Sequence, residues 1–246
     1  MECYKDFAQI YDNLIKEDVD YHSWSNFIMD IVNTHNVKKD NYLDLACGTG
    51  NITEIISKHF KTTWAVDLSS DMLAEAEMKL RYNGTRGNFI KQDISKLELG
   101  KEFNLITCCL DSINYLTSIE EVESYFLRVY NHLKDEGIFI FDINSYYKIT
   151  EVLGNNIYTY DSEEVFYTWE NYLNKDIVEM YLTFFIKKAN SYYERFDEVH
   201  RERAYKMEWL EKLIKKNNFK IIDKFNGYEF KAVEEKSERI VYVLKK

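Results

Sequence analysis

One nine-residue stretch, Tyr42-Leu-Asp-Leu-Ala-Cys-Gly-Thr-Gly50, limits what the chain can become more than any other part of it. A short apolar run, suited to a buried parallel strand, breaks into small and glycine residues. Asn51–Phe60 follows with Ile52, Ile55 and Ile56 on one helical face. Strand, glycine turn and helix open a nucleotide-binding βαβ unit. Gly48 and Gly50 supply positive φ and let a ligand approach backbone that a Cβ would shield. The next apolar run, Thr62–Val66, ends in Asp67, seventeen residues beyond Gly50. An acid that binds a ribose diol sits roughly 20 residues past the glycines.

Two kinds of cofactor compete for such a unit. A dinucleotide turn carries G-x-G-x-x-G with its third glycine at the helix packing point; here Thr53 takes that place. Asp44 stands just ahead of the turn, where a carboxylate repels a pyrophosphate but suits a ligand carrying an ammonium and a sulfonium. Asp44-Leu-Ala-Cys-Gly48-Thr-Gly50 resembles the first motif of the class I S-adenosylmethionine (SAM) dependent methyltransferases. That motif is acid-x-Gly-x-Gly-x-Gly, and Ala46 stands in for its first glycine. The similarity runs motif by motif from about residue 40 to 143. The opening Tyr4-Lys-Asp-Phe-Ala-Gln-Ile-Tyr11-Asp, the stretch Tyr21-His-Ser-Trp24 and the region after residue 154 resemble small-molecule methyltransferases. The sugar N,N-dimethyltransferases and glycine N-methyltransferase are the nearest types.

Along the chain, Tyr42–Ala46, Thr62–Val66, Asn88–Gln92, Phe103–Leu110 and Gly137–Ile143 read as strands one to five. Ser69 is a helix N-cap, with Met72, Leu73, Ala76 and Leu80 facing inward, and Ser118-Ile-Glu-Glu121 is a capping box. Phe219–Phe225 and Arg239–Leu244 close the chain as a strand pair, after a helix over Met207–Lys216. The expected fold is α/β, doubly wound, a mostly parallel Rossmann-like seven-stranded sheet with an antiparallel β-ribbon insert after strand five. Residues 1–154 and 206–246 form the core, with an N-terminal helical lid. Within 155–205, Val165–Trp169, Val178–Phe184 and Arg195–Tyr205 alternate like antiparallel strands. This insert would contact substrate, a second copy of the chain, or both, so the chain is expected as a monomer or homodimer.

Charge and length narrow the partners. The 246 residues suffice for one α/β domain plus an insert. A net charge of −10 lacks the basic footprint that phosphates require, which disfavours nucleic acid. The chain has no proline, so neither the Asn/Asp-Pro-Pro-Tyr/Phe loop nor the Pro-Cys pair of nucleic-acid methyltransferases can occur. No apolar run approaches 18 residues and no signal peptide precedes the first helix, so a cytoplasmic location without membrane contact is expected. Four cysteines and five histidines show no ligand spacing, and no metal is expected.

In an open α/β sheet ligands bind beyond the carboxyl ends of the strands, beside strand one. The resemblance implies SAM as cofactor. It gives Asp44, Ala46, Cys47, Gly48 and Gly50 the methionine part and Asp67 the ribose hydroxyls. Leu68 and Met72 would flank the adenine, Asp93 and Ile94 read its edge, and Leu110 offer a carbonyl to the amino group. Tyr11 and Trp24 would cover the cofactor. Methyl transfer is an in-line displacement whose leaving group needs no protonation, so no fixed triad is required. Tyr115 is a candidate to orient the acceptor and His200 a candidate base, the alternative for His200 being a place on a salt-bridged strand edge. The expected activity is transfer of a methyl group to a small-molecule amine or hydroxyl. A non-catalytic SAM-binding protein, a protein- or tRNA-directed methyltransferase and a nicotinamide-linked oxidoreductase are the competing readings.

Overall fold

A computed structural model describes residues 19–188 and 192–246. The expected lid helix before Asp18, with Tyr11, lies outside the described residues. Helix α1 (Tyr21–Thr34) starts at Asp20, whose carboxylate accepts the Ser23 N–H at 2.9 Å. Its buried stripe of Phe27, Ile28, Ile31 and Val32 lies against the main sheet. Each such side chain contributes about 1.5–3 kcal/mol by leaving water.

The main sheet holds β1 (Asn41–Leu45), β2 (Thr62–Asp67), β3 (Asn88–Lys91), β4 (Phe103–Cys108), β5 (Leu133–Asn144), β10 (Lys220–Asn226) and β11 (Arg239–Lys245) in the order β10-β11-β5-β4-β1-β2-β3. β1 to β5 run parallel, while β11 pairs antiparallel with both β5 and β10. Thus the closing pair extends the sheet from β5, and of that pair β10 is the edge strand. Helices α2 (Asn51–Ser57), α3 (Ser70–Tyr82), α4 (Ile119–His132) and α5 (Met207–Lys216) complete the layers. The Ser69 cap and the Ser118/Glu121 capping box are both formed. Strand alternation divides the core: Leu43 and Leu45 face one side of the sheet, Tyr42 and Asp44 the other.

The sheet narrows the expected strand ends in a way that matters for the site. β1 stops at Leu45 because Ala46 takes φ 50°, and β4 stops at Cys108, two residues before Leu110 at φ 59°. β5 is longer than expected, because α4 passes into it without a loop.

Between β5 and α5 lies a four-stranded antiparallel sheet, β6 (Ile157–Asp161), β7 (Val165–Asn174), β8 (Ile177–Lys187) and β9 (Tyr193–Arg203). The sequence suggested three strands; the first, β6, is short and alternates exposed with half-buried residues. Register fixes one face of this sheet row by row. Glu202 lies opposite Val178, and His200 opposite Met180; Glu198 faces Leu182, and Phe196 faces Phe184. Asn114 joins the end of β9 to the main sheet: its amide donates to the Asn144 and Arg203 carbonyls at 3.1 and 2.9 Å and accepts the Asn144 N–H at 3.0 Å. Among the described residues no helix is long and apolar enough to cross a membrane.

Candidate active site

The turn after β1 is built on positive φ at Ala46, Gly48 and Gly50 (50°, 53° and 78°). It is pinned by the Cys47 N–H to the Val66 carbonyl and the Gly50 N–H to the Cys47 carbonyl. The two glycines do different work. A Cβ on Gly50 would lie 2.9 Å from the Ala76 Cβ, so its requirement is the close approach of α3. A Cβ on Gly48 would meet no atom within 4 Å, so that residue faces open space. Asp44 is buried behind the turn. The register places Thr107 opposite it on β4, and the Thr107 hydroxyl donates to it at 2.7 Å; Thr53, from the start of α2, donates at 2.5 Å. Burial raises the Asp44 carboxyl to about 6 despite these hydrogen bonds.

Asp67, at the end of β2, accepts the Gly48 N–H at 2.8 Å and the Ser69 N–H at 2.9 Å. Its carboxylate therefore borders the open space at Gly48 and keeps lone pairs for a diol. Burial pushes its pKa up, and the backbone donors oppose that. Leu68 is exposed and Met72 buried beside it. Asp93 caps the 3₁₀ turn Ile94–Lys96, accepting from the Ser95 N–H and hydroxyl at 2.9 and 2.7 Å. Burial raises its pKa less than Ser95 and Lys96 lower it. The strand-ending turn foreseen as an alternative for Asp93 is present, and Ile94 is buried against it.

Beyond β4 the chain takes two consecutive left-handed residues, Leu110 and Asp111 (φ 59° and 48°), before the turn Ser112–Tyr115. Non-glycine residues held there cost about 1–3 kcal/mol each. The conformation is fixed from β5 and β11. Asp142 accepts the Asp111 N–H at 3.0 Å, and Arg239 pairs with Asp111 at 2.7 Å and with Asp142. Tyr228 donates to Asp142 at 2.8 Å. Trp24, expected over the cofactor, is stacked on Tyr228 (centroids 3.9 Å apart), with the Arg239 guanidinium 5.3 Å from its ring. From β9, Glu202 accepts from the Asn144 amide at 3.0 Å and lies near enough to Asp111 to feel its charge. Burial, and then the Asp111 charge, raise the Glu202 carboxyl well above its ordinary range.

The two residues singled out for the acceptor come together here. The Tyr115 hydroxyl and His200 Nδ1 are 3.2 Å apart. Burial lowers the His200 pKa to about 4 against the pull of Asp111, so the imidazole is neutral at pH 7. Its strand, β9, is the ion-paired edge of its sheet, with Arg195–Asp197 and Arg201–Glu179 pairs, but Glu198, His200 and Glu202 lie on its buried face. Sequence reasoning gave Asp142, Glu202, Tyr228 and Arg239 no part in the site. A single carboxylate inside the apolar run of β5 was the one available signal for Asp142.

The open space at Gly48 lies beside the Asp67 carboxylate, at the carboxyl ends of β1 and β2 where open α/β sheets bind nucleotide ligands. Comparison with known proteins agrees. The methyltransferase domain family model matches residues 43–137. A methyltransferase-family chain of Geobacillus sp. (strain WCH70) is 32% identical over 99% of both chains. The crystal structure of a SAM-dependent methyltransferase from Clostridium acetobutylicum ATCC 824 shares 53% identity and a TM-score of 0.94 over 99% of both chains. A dTDP-3-amino-3,4,6-trideoxy-alpha-D-glucopyranose N,N-dimethyltransferase of Streptomyces venezuelae is 29% identical over 55% of this chain and 56% of its own. Streptomyces venezuelae DesVI shares the fold at a TM-score of 0.82, with 20% identity over 97% of both chains. By its turn, its two acids and its full-length relatives, this chain belongs to the SAM-dependent methyltransferases.

Proposed function

We propose that the chain transfers a methyl group from SAM to a small-molecule amine held at the end of β4. The observation that carries this reading is the group of carboxyls there, Asp111, Asp142 and Glu202, with Arg239 as counter-charge. In methyl transfer to an amine, positive charge moves from sulfur to nitrogen. A carboxylate beside the nitrogen is favourable to that movement, and to the ammonium form in which an amine arrives. The same carboxyls and the net charge of −10 disfavour a phosphodiester. The amino-sugar dimethyltransferase of Streptomyces venezuelae supports an amine on a small ring compound.

SAM supplies an electrophilic methyl on a sulfonium. In this proposal the turn from Ala46 through Cys47 and Gly48 to Gly50 holds its methionine part, with Asp44 setting the turn from behind. Asp67 takes the ribose hydroxyls, Leu68, Met72, Asp93 and Ile94 surround the adenine, and the Leu110 carbonyl meets the amino group. Trp24 closes the site through Tyr228. Tyr115 orients the acceptor with His200, which as a neutral imidazole adds no charge of its own.

Methyl-labelled SAM added to cell extract separated into low-molecular-mass, tRNA and protein fractions tests the substrate class. Label is expected in the low-molecular-mass fraction and to disappear with Asp67→Ala. Label confined to tRNA or protein would overturn the reading.

A further inference from the structure

The carboxyls at the end of β4 are not held alike. The Asp142 side chain is fully buried, and Glu202 is all but so, whereas the Asp111 side chain keeps 16% of its surface. Asp111, the most exposed of the three, is held in backbone and side chain by residues of other elements. Asp142 accepts its N–H, and Arg239 donates to its carboxylate while donating to Asp142 as well. The guanidinium is braced by the Trp24 ring, Trp24 by Tyr228, and the Tyr228 hydroxyl returns to Asp142. This closed set of contacts joins α1, β5, β11 and the loop before β11. What it fixes is the direction of one carboxylate, next to Leu110.

We infer that Asp111 is a catalytic residue that takes the proton of an ammonium acceptor, and that Arg239 is the positioning residue that keeps its carboxylate aimed there. The inference rests on the amine reading above. The ammonium N–H bond breaks, its electron pair stays on nitrogen as the lone pair that methyl transfer uses, and the proton ends on a carboxylate oxygen of Asp111. Glu202 keeps its hydrogen bond from the Asn144 amide throughout. Asp111 is faced by Asp142 from β5, Arg239 from β11, and Glu202 and His200 from β9; behind these, Tyr228 bonds Asp142 and Tyr115 lies within hydrogen-bond distance of His200. His200 titrates near 4 and Tyr228 is pushed up by burial, so neither competes for a proton at neutral pH.

The test is ¹³C NMR of protein labelled at the Asp and Glu carboxyls, saturated with S-adenosylhomocysteine, with cyclohexylamine as probe and cyclohexanol as its uncharged counterpart. The Asp111 resonance, assigned with Asp111→Asn, is expected to move with the amine and not with the alcohol. Arg239→Gln should abolish that response; Arg239→Lys, which keeps the charge, should retain part of it. An Asp111 resonance indifferent to the amine, or an Arg239→Gln variant that responds like wild type, would overturn the inference. In turnover, Asp111→Asn should lower kcat at least about 100-fold with KM for SAM within about twofold. Methyl transfer to hydroxyls by wild type would defeat the amine reading. Transfer to amines undiminished in Asp111→Asn would defeat this inference alone.

Discussion

The Thr53 hydroxyl donates to the Asp44 carboxylate at 2.5 Å, from the position where a dinucleotide-binding turn carries its third glycine. The residue that spoils one cofactor motif thus completes another. It ties the first turn of α2 to β1 and leaves the glycine turn between them closed. Thr53→Val keeps the shape and removes the donor. It is expected to cost about 1–3 kcal/mol of stability, read by urea unfolding, and to weaken SAM binding through a loosened turn.

Two buried groups give stability opposite pH dependences. Asp44 titrates at about 6 in the folded chain against 3.8 unfolded, so its contribution is present below the unfolded value and lost as pH rises through about 6. His200 titrates at about 4 against 6.5, so its contribution is present above 6.5 and lost as pH falls through about 4. Each shift amounts to about 3 kcal/mol. Between pH 6 and pH 4 wild type should therefore gain stability relative to Asp44→Asn and lose it relative to His200→Gln. Parallel denaturant titrations at four pH values across this window would show both slopes.

The glycines of the turn should separate stability from binding. Gly50→Ala places a Cβ 2.9 Å from Ala76 at φ 78°, which should cost about 1–3 kcal/mol of stability. Gly48→Ala meets no protein atom, so it should cost less stability, about 1 kcal/mol for its φ of 53°. It should raise the Kd for SAM at least about tenfold, because its methyl enters the space given to the ligand. Thermal unfolding with and without S-adenosylhomocysteine distinguishes the two effects.

Asp67→Ala removes the acceptor of the Gly48 and Ser69 N–H groups and the bonds proposed for a ribose diol. A loss of about 2–4 kcal/mol, or 30- to 1000-fold in Kd for S-adenosylhomocysteine, is expected by calorimetry.

The cofactor side was legible because its parts lie close in sequence and their spacing is set by strand and helix geometry. Asp44, the turn and Asp67 fall within one βαβ unit, and the Asp44–Thr107 bond follows from the strand pairing. The acceptor side was not. Asp111 and Arg239 are 128 residues apart, Asp142 and Arg239 97, and Tyr228 and Asp142 86, so topology alone brings them together. On β9 the charged alternation pointed to a solvated edge. That holds for one face only: on the other, Asn144 and Tyr115 supply partners for Glu202 and His200, which lets that face be buried.

The most direct measurement is mass-spectrometric detection of methyl transfer from SAM to matched pairs of ring compounds, each amino sugar beside the sugar bearing a hydroxyl at the same carbon. Methylation of the amine member, dependent on Asp67 and on Asp111, is the expected result. Methylation of the hydroxyl members alone, or undiminished amine methylation by Asp111→Asn, would contradict the role given to the carboxyls beyond β4.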